Sequence, residues 1–345
     1  MNLKIFYCLT VLVASLSLSA ETTFYGKLWI TAEYENNNET STSDLVSNAS
    51  RIGFKGDLEA RNKLSVIYQL EYEVDPVDGK ADESKGRSLK KRNSFIGLKG
   101  SYGTLFLGTH DTAFKKSSKI IDLFNDLNPD IKNILHGENR MKDFVGFTTP
   151  TSERGFSATF NAIRGAEDLN NNKLSDHLSY SFNYRGENFY AAIALDSDIK
   201  GYDSSRYSIH LPTGIYNFGF IYQQSKKIST NKTNNGFVIS ASRKIGAKGE
   251  FKIQLAESDM KLSEGRQLSY GYDYKLNKQF EIFFFYTDLS TSNFAKEKEV
   301  AAVGFELKFW HLILIFVTEL SHKKFLIEVT RNTYEPEKNI IRVNK

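Results

Sequence analysis

Along most of this 345-residue chain, apolar and polar residues alternate with a period of two. From Phe24 to Glu33 one side reads Phe24, Gly26, Leu28, Ile30 and Ala32, while the other reads Tyr25, Lys27, Trp29, Thr31 and Glu33. Successive side chains of a β-strand point to opposite faces, so this segment presents one apolar face and one largely polar face. The same division recurs from Leu64 to Glu73. There Leu64, Val66, Tyr68, Leu70 and Tyr72 alternate with Ser65, Ile67, Gln69, Glu71 and Glu73, and Ile67 alone breaks the polar side.

Extending this reading predicts strands near 22–34, 50–60, 62–74, 90–100, 103–110, 141–149, 155–163 and 175–185. Eight more are predicted near 188–196, 204–211, 214–224, 235–245, 249–258, 265–275, 279–288 and 298–309. Sixteen is an even number, as closed single-chain bacterial barrels require. The connections alternate between tight and long. Tight ones include Ala60 to Lys63, Gly100 to Gly103, Gly186 to Asn188, Pro212 to Gly214, Gly246 to Gly249 and Asn277 to Lys278. The long ones are polar: Glu35 to Ala49, Asp75 to Leu89, Asp111 to Arg140, Arg164 to Ser175, Ser225 to Asn234 and Leu289 to Glu297. Short turns on one rim and long loops on the other suit a transmembrane barrel; a soluble sandwich has no reason to keep its long loops at one end.

Composition sharpens this picture. A mean hydropathy of -0.40 excludes a helical membrane protein, yet the chain holds 18 Tyr and 26 Phe with only 5 Pro. A barrel with an apolar lipid face, a wet lumen and aromatic girdles reconciles these values. Lys4, the apolar run from Ile5 to Leu18 and the small pair Ser19-Ala20 form the three-part layout of a secretory signal peptide over residues 1–20. The single cysteine, Cys8, lies inside that run, so neither disulfides nor thiol catalysis is expected of the mature chain. A formal net charge of +4 offers no reason to expect a nucleic-acid partner.

Chemistry is sparse. Asp168-Leu169-Asn170-Asn171-Asn172 has the opening of a calcium loop, but Lys173 stands at the required glycine and Ser179 at the bidentate glutamate. His110, His136, His177 and His210 lack zinc-site spacing, Gly97, Gly100 and Gly103 lack a dinucleotide-loop core, and no nucleophile elbow occurs. The expectation is no enzyme activity, no cofactor and no metal.

Three stretches in order then carry a resemblance: Thr23-Phe24-Tyr25-Gly26-Lys27, Ser50-Arg51-Ile52-Gly53-Phe54-Lys55-Gly56 and Arg92-Asn93-Ser94-Phe95-Ile96-Gly97-Leu98. With Gly103 to Thr112, where Thr109 stands in place of a frequent arginine, they resemble the general porins of gamma- and beta-proteobacteria. The resemblance implies an all-β fold: a 16-stranded antiparallel transmembrane β-barrel whose long third loop, Asp111 to Arg140, folds into the lumen. It also implies a homotrimer in outer-membrane lipid that passes small hydrophilic solutes and ions by passive diffusion.

In such proteins acidic loop groups face basic wall groups across a pore constriction. On that reading Asp122, Asp126 and Asp130 are the acidic rim, and Lys27, Arg51, Arg92 and Arg140 are the basic candidates. Arginine facing lipid at the midplane costs about 2 to 4 kcal/mol, which favours lumenal positions for Arg51 and Arg92. Competing readings are a non-conducting barrel, structural or surface-binding, with a plugged lumen, and a soluble secreted β-protein. The resemblance further implies a barrel over residues 21–309 ending on Phe309. Residues 310–345 are then an atypical tail, an extra helix or a disordered segment, arising from a lost stop codon, a shifted frame or a genuine appendage.

Overall fold

A computed structural model describes residues 20–60, 63–118, 121–165, 175–292 and 298–315. Residues 1–19 of the expected signal peptide, the stretch Asp168 to Asn172 and residues 316–345 of the tail lie outside the described residues. Strands come first as β1 (Ala20–Asn37), β2 (Ser41–Ser47), β3 (Arg51–Glu59), β4 (Ser65–Val74), β5 (Leu89–Lys91), β6 (Ser94–Gly100) and β7 (Gly103–Asp111). After the long third loop come β8 (Arg140–Thr148), β9 (Phe156–Ile163), β10 (His177–Arg185), β11 (Tyr190–Ile199), β12 (Tyr202–Thr213) and β13 (Tyr216–Lys227). The chain continues with β14 (Thr233–Ile245), β15 (Gly249–Ser258), β16 (Gly265–Lys275), β17 (Phe280–Ser290) and β18 (Lys298–Ile315).

These eighteen segments build sixteen staves. β2 and β3 both pair with β1 and are one strand interrupted at Asn48 to Ser50; β5 and β6 both pair with β4 and are one strand interrupted at Arg92-Asn93. Neighbours are antiparallel throughout, and β1 pairs with β18 from Ala20↔Ile315 to Asn37↔Lys298, closing the cylinder. Every stave is therefore hydrogen-bonded on both sides, the condition for a sheet to stand in hydrocarbon.

Burial is inverted relative to a water-soluble protein. Phe54, Leu70, Ile96, Leu107, Phe182, Ile193, Phe218, Ile239, Phe284 and Phe305 are exposed, whereas Thr31, Glu71, Arg206, Gln223, Ser240, Gln254, Ser269 and Thr287 are buried. The exposed set is the outward face, in contact with lipid, and the buried set points inward. Outward aromatics crowd the short-turn rim, where Phe156, Tyr184 and Phe189 form a contiguous row with centroid spacings of 5.0 and 5.9 Å. Rings at this depth sit at the headgroup level of a bilayer.

Two boundaries differ from the sequence expectation. Glu35 to Ala49 is not a loop: β1 runs on to Asn37, and β2 pairs back from Ile30↔Ser47 to Asn36↔Ser41. At about 3.3 Å per residue and a tilt near 45°, an 18-residue strand stands roughly 40 Å tall against an apolar band of about 25 Å. This hairpin rises past the lipid, so it needs no apolar face and escapes a search for one. Nor does the regular structure stop at Phe309, because β18 continues from Trp310 to Ile315 against Ala20 to Tyr25. The long β1 supplies a template whatever side chains follow.

Candidate functional site

The third loop enters the barrel and lies against its inner wall. Its first turn, a short helix at Ala113–Ser118, is tied to β9 and β10: the Ala113 amide donates to Asn161 Oδ1 (2.6 Å) and the Phe114 amide to Ser179 Oγ (3.1 Å). Beyond it the attachment becomes apolar. Ile121, Ile131, Ile134 and Leu135 pack on Ile221, Val238, Ala256 and Met260, and all but Met260 are essentially inaccessible. Phe124 and Leu127 pack on Phe283, Phe285, Val300 and Ala302.

The wall is hollowed to receive these side chains. A Cβ at Gly219 would lie 2.8 Å from Ile121 Cγ2, one at Gly236 2.6 Å from Leu135 Cδ2, and one at Gly271 3.1 Å from Phe124 Cε1. These three glycines, on β13, β14 and β16, let the loop approach the sheet more closely than any other residue would allow.

Polar anchors flank the apolar seam. Arg206 on β12, fully buried, pairs with Glu138 (2.8 Å), donates to Gln223 Oε1 (2.8 Å) and to the His136 carbonyl (3.2 Å), and stacks over the Phe114 ring at 4.4 Å. Gly137, with φ 98°, turns the chain beneath that ring. Lys252 on β15 pairs with Asp273 (2.8 Å) and donates to the Leu123 carbonyl (3.2 Å).

At its tip the loop crosses to the opposite wall. Asp126, held at φ 67°, accepts from Arg51 Nη2 at 2.7 Å and stands 3.5 Å from Arg92 Nη2. Arg92 is also paired with Glu71 (2.9 Å) and Glu73 (2.8 Å). Glu71 in turn accepts from the Tyr25 hydroxyl at 2.9 Å. Lys27 pairs with Glu306 (3.3 Å), which Lys308 also contacts, and lies over the Trp29 ring. The loop and three wall strands thus bring Asp126, Arg51, Arg92 and, beside them, Lys27 into one charged cluster. Burial alone would raise the Asp126 carboxyl; the guanidiniums of Arg92 and Arg51 outweigh it and hold the group below the usual carboxylate range.

The other three expected residues stand elsewhere, a correction to the anticipated row of acids facing bases. Asp122 is buried in the seam, accepting from Gln254 Nε2 (3.1 Å), and burial followed by the nearby Asp130 charge raises its carboxyl well above the ordinary range. Asp130 is spent on the loop itself: it accepts from the Asp126 amide (2.9 Å) and the Lys132 amide (2.7 Å), fixing the tip that presents Asp126. Arg140 pairs with Asp111 (3.0 Å) and donates to Asn93 (2.8 Å) at the root of the loop. Each misplacement has one cause: an irregular loop has no period, so spacing cannot say which acid points outward.

Sequence reasoning passed over Glu71, Glu73 and Glu306 as pairing partners, although alternation puts all three on the lumenal face. It also passed over Arg206, whose signal was the same: a guanidinium on the polar side of the Ser204, Arg206, Ser208 alternation.

Comparison with known proteins agrees with this geometry. The sequence profile described as Gram-negative porin matches residues 8–293. Outer membrane porin protein 32 of Delftia acidovorans is 25% identical, over 88% of this chain and 93% of its own length. Major outer membrane protein P.IB of Neisseria meningitidis serogroup A is 28% identical, over 69% of this chain and 76% of the relative. Among solved structures, an anion-selective porin from Comamonas acidovorans superposes with a TM-score of 0.71 at 20% identity, covering 84% of this chain and all of that one. Salmonella typhi OmpF gives 0.64 at 14% identity, covering 85% and 98%.

Proposed function

We propose, from the premise that this chain belongs to the Gram-negative porin family, that the cluster of Arg51, Arg92, Asp126 and Lys27 is the selective constriction of its outer-membrane channel. The channel works by diffusion, with no reaction and no cofactor. Its third loop, stacked against β13 to β18, takes up one side of the lumen and leaves hydrated passage to the side lined by charge.

The observation that carries this reading is the Asp126 carboxylate of the loop meeting Arg51 and Arg92 of the facing wall. Asp126 and the two guanidiniums touch, so together they form a charged, dipolar wall beside the passage, and the field at that wall orients water and favours polar solutes over apolar ones. Glu71, Glu73 and Glu306 behind the basic groups hold their orientation and moderate their charge. Removing Arg92 leaves Glu71, Glu73 and Asp126 under-compensated.

Purified full-length protein in a planar bilayer tests this. Wild type is expected to give discrete, salt-dependent conductance steps. Arg92→Ala should shift permeability toward cations by about fivefold, the worth of one unit charge at 4 Å in water. An unchanged reversal potential in a salt gradient would remove Arg92 from the constriction, and a folded barrel without conductance would mean a plug.

Residues 1–20 serve in this reading as the export signal. A Vibrio cholerae neighbour, OmpT, is described in a trimer form and superposes with a TM-score of 0.60 at 12% identity, covering 84% of this chain and all of that one. This chain is accordingly assigned the homotrimeric state, measurable as the mass of the unheated species in detergent.

A further inference from the structure

The short-turn rim, which faces the periplasm in barrels of this kind, is not electrically uniform. Three consecutive hairpin turns, between β12 and β13, β14 and β15, and β16 and β17, are bonded into one ledge. The Lys244 amide donates to the Ile215 carbonyl (2.8 Å), the Lys275 amide to the Lys248 carbonyl (2.9 Å), and Lys248 Nζ to the Leu276 carbonyl (3.4 Å). Each turn exposes one aliphatic side chain: Ile215, Ile245 and Leu276. Just above the ledge, Arg243 takes an outward position, because alternation along β14 buries Ser240 and Ser242 inward and leaves Ile239, Arg243 and Ile245 exposed. Its guanidinium lies 5.6 Å from the centre of the ring of Tyr216, its register partner on β13, and its partner on β15 is the exposed Phe251.

Charges here sort by face. Lys244 is the register partner of Glu250 and Lys275 that of Glu281; Glu250 also accepts from Ser242 Oγ (2.6 Å), and Lys252 pairs with Asp273 (2.8 Å). Glu250, Asp273 and Glu281 all follow the inward alternation of their strands, so the acids near this rim face the lumen and are matched there by lysines. Among the described residues, the outward positions of β12 to β17 nearest the rim carry no carboxylate, and Lys248 and Lys278 are exposed at the turn tips. By contrast, on the other side of the same rim Lys99 lies 3.7 Å from Asp57, and Arg154 and Arg185 share their turns with Glu153 and Glu187.

A cation at headgroup depth with no acid beside it offers its charge to the bilayer, while its stem and the surrounding rings stay in the apolar layer. We propose that Arg243 and Lys248, framed by Tyr216, Phe251 and the aliphatic turn tips, form a docking surface for anionic glycerophospholipids of the periplasm-facing leaflet. The two cations hold the headgroup phosphate, and the rings receive the start of an acyl chain. Because Arg243 stands on the lipid face and not in open water, the occupant is a lipid and not a free anion. The site requires the barrel to stand in a bilayer and is independent of conduction.

Full-length protein folded in neutral detergent and offered equal amounts of phosphatidylglycerol and phosphatidylcholine tests this, with the lipid retained on the protein read by native mass spectrometry. Wild type should retain phosphatidylglycerol in preference. Arg243→Gln and Lys248→Gln should each lower that preference about fivefold, the worth of one basic side chain near an anionic lipid surface. Arg243→Lys with Lys248→Arg should keep most of it. Lys99→Gln, which removes a paired cation of the same rim, should leave it unchanged.

Heat-modifiable migration in gels verifies that each variant is folded. Equal retention of the two lipids by wild type overturns the proposal. So does a preference that Arg243→Gln with Lys248→Gln keeps in full, or one that Lys99→Gln lowers as much. Complete displacement of the lipid by inorganic phosphate, with chloride at equal ionic strength as the control, would make the occupant a free anion and overturns it too.

Discussion

The third loop meets the barrel wall in two different ways. Along β13 to β18 it is seated dry, with Ile121, Phe124, Leu127, Ile131, Ile134 and Leu135 against inward apolar residues and three inward glycines. Across from that seam it touches β3 and the break between β5 and β6 through one carboxylate and two guanidiniums. Burying an aliphatic or aromatic side chain is worth about 1.5 to 3 kcal/mol, whereas a largely buried ion pair such as this one gains little net, because the cost of desolvating both charges offsets their attraction. The apolar side therefore holds the loop, and the charged side sets what the loop does to passing solutes. Position and selectivity are assigned to separate faces of one segment.

The largest effect should come from loosening the dry seam. Ile131→Ala with Leu135→Ala removes two fully buried side chains, each costing about 2 to 5 kcal/mol. Single-channel records should become noisy and multi-level while the barrel keeps its heat-modifiable migration. A quiet channel of unchanged conductance would show that the ion contacts hold the loop after all.

Next in size, Gly219→Ala sets a methyl 2.8 Å from Ile121 and should destabilise the loop by about 1 to 3 kcal/mol. Limited proteolysis within residues 121–138 should rise in that variant. The same change at Gly246, where a Cβ meets nothing within 4 Å but φ is 63°, should leave proteolysis of the loop as it was.

The smallest effects concern pH, and they have opposite signs at the two faces. Because Arg92 and Arg51 depress Asp126, its pairing is fully present above the ordinary carboxylate value and is lost only as pH falls through its own lower value. Between about pH 7 and pH 5, Asp126→Asn should therefore differ from wild type by a constant amount. Asp122 is raised, so it is neutral in mild acid. As pH rises through its elevated value it must ionise in a dry pocket, and stability falls. Asp122→Asn keeps an acceptor for Gln254, and its unfolding temperature should gain steadily on that of wild type as pH rises above the ordinary carboxylate range. Midpoints of heat-induced unfolding in detergent at three pH values check both. A pH-independent offset for Asp122→Asn would place that carboxyl in water.

How much of this could be read from residue order depends on whether a period exists. Strands with one lipid face and one wet face betray themselves by alternation, and so Arg51, Glu71 and Glu306 could be assigned to the lumen before any coordinates. The alternation fails where the inner face is itself apolar. Phe283, Phe284 and Phe285 run together because two of them serve the loop and one serves lipid. Ile221, Val238 and Val300 look like errors of pattern until the loop is seen lying on them. Within the loop, Asp122, Asp126 and Asp130 are evenly spaced by four, yet one is buried, one bridges to arginine and one caps a turn. Those roles follow from a path through space that local spacing does not encode.

The seam between β1 and β18 bears on how such a molecule comes into being. Its 18 residue pairs join segments that lie 261 positions apart at their closest in the chain, at Asn37 and Lys298. Contacts of such extreme sequence separation form late, because the intervening polymer must already be ordered before the two ends can meet. Until they do, both terminal strands carry unsatisfied amides that hydrocarbon will not tolerate. Assembly is thus committed by its final step, and a partly built cylinder has no comfortable resting place within the bilayer.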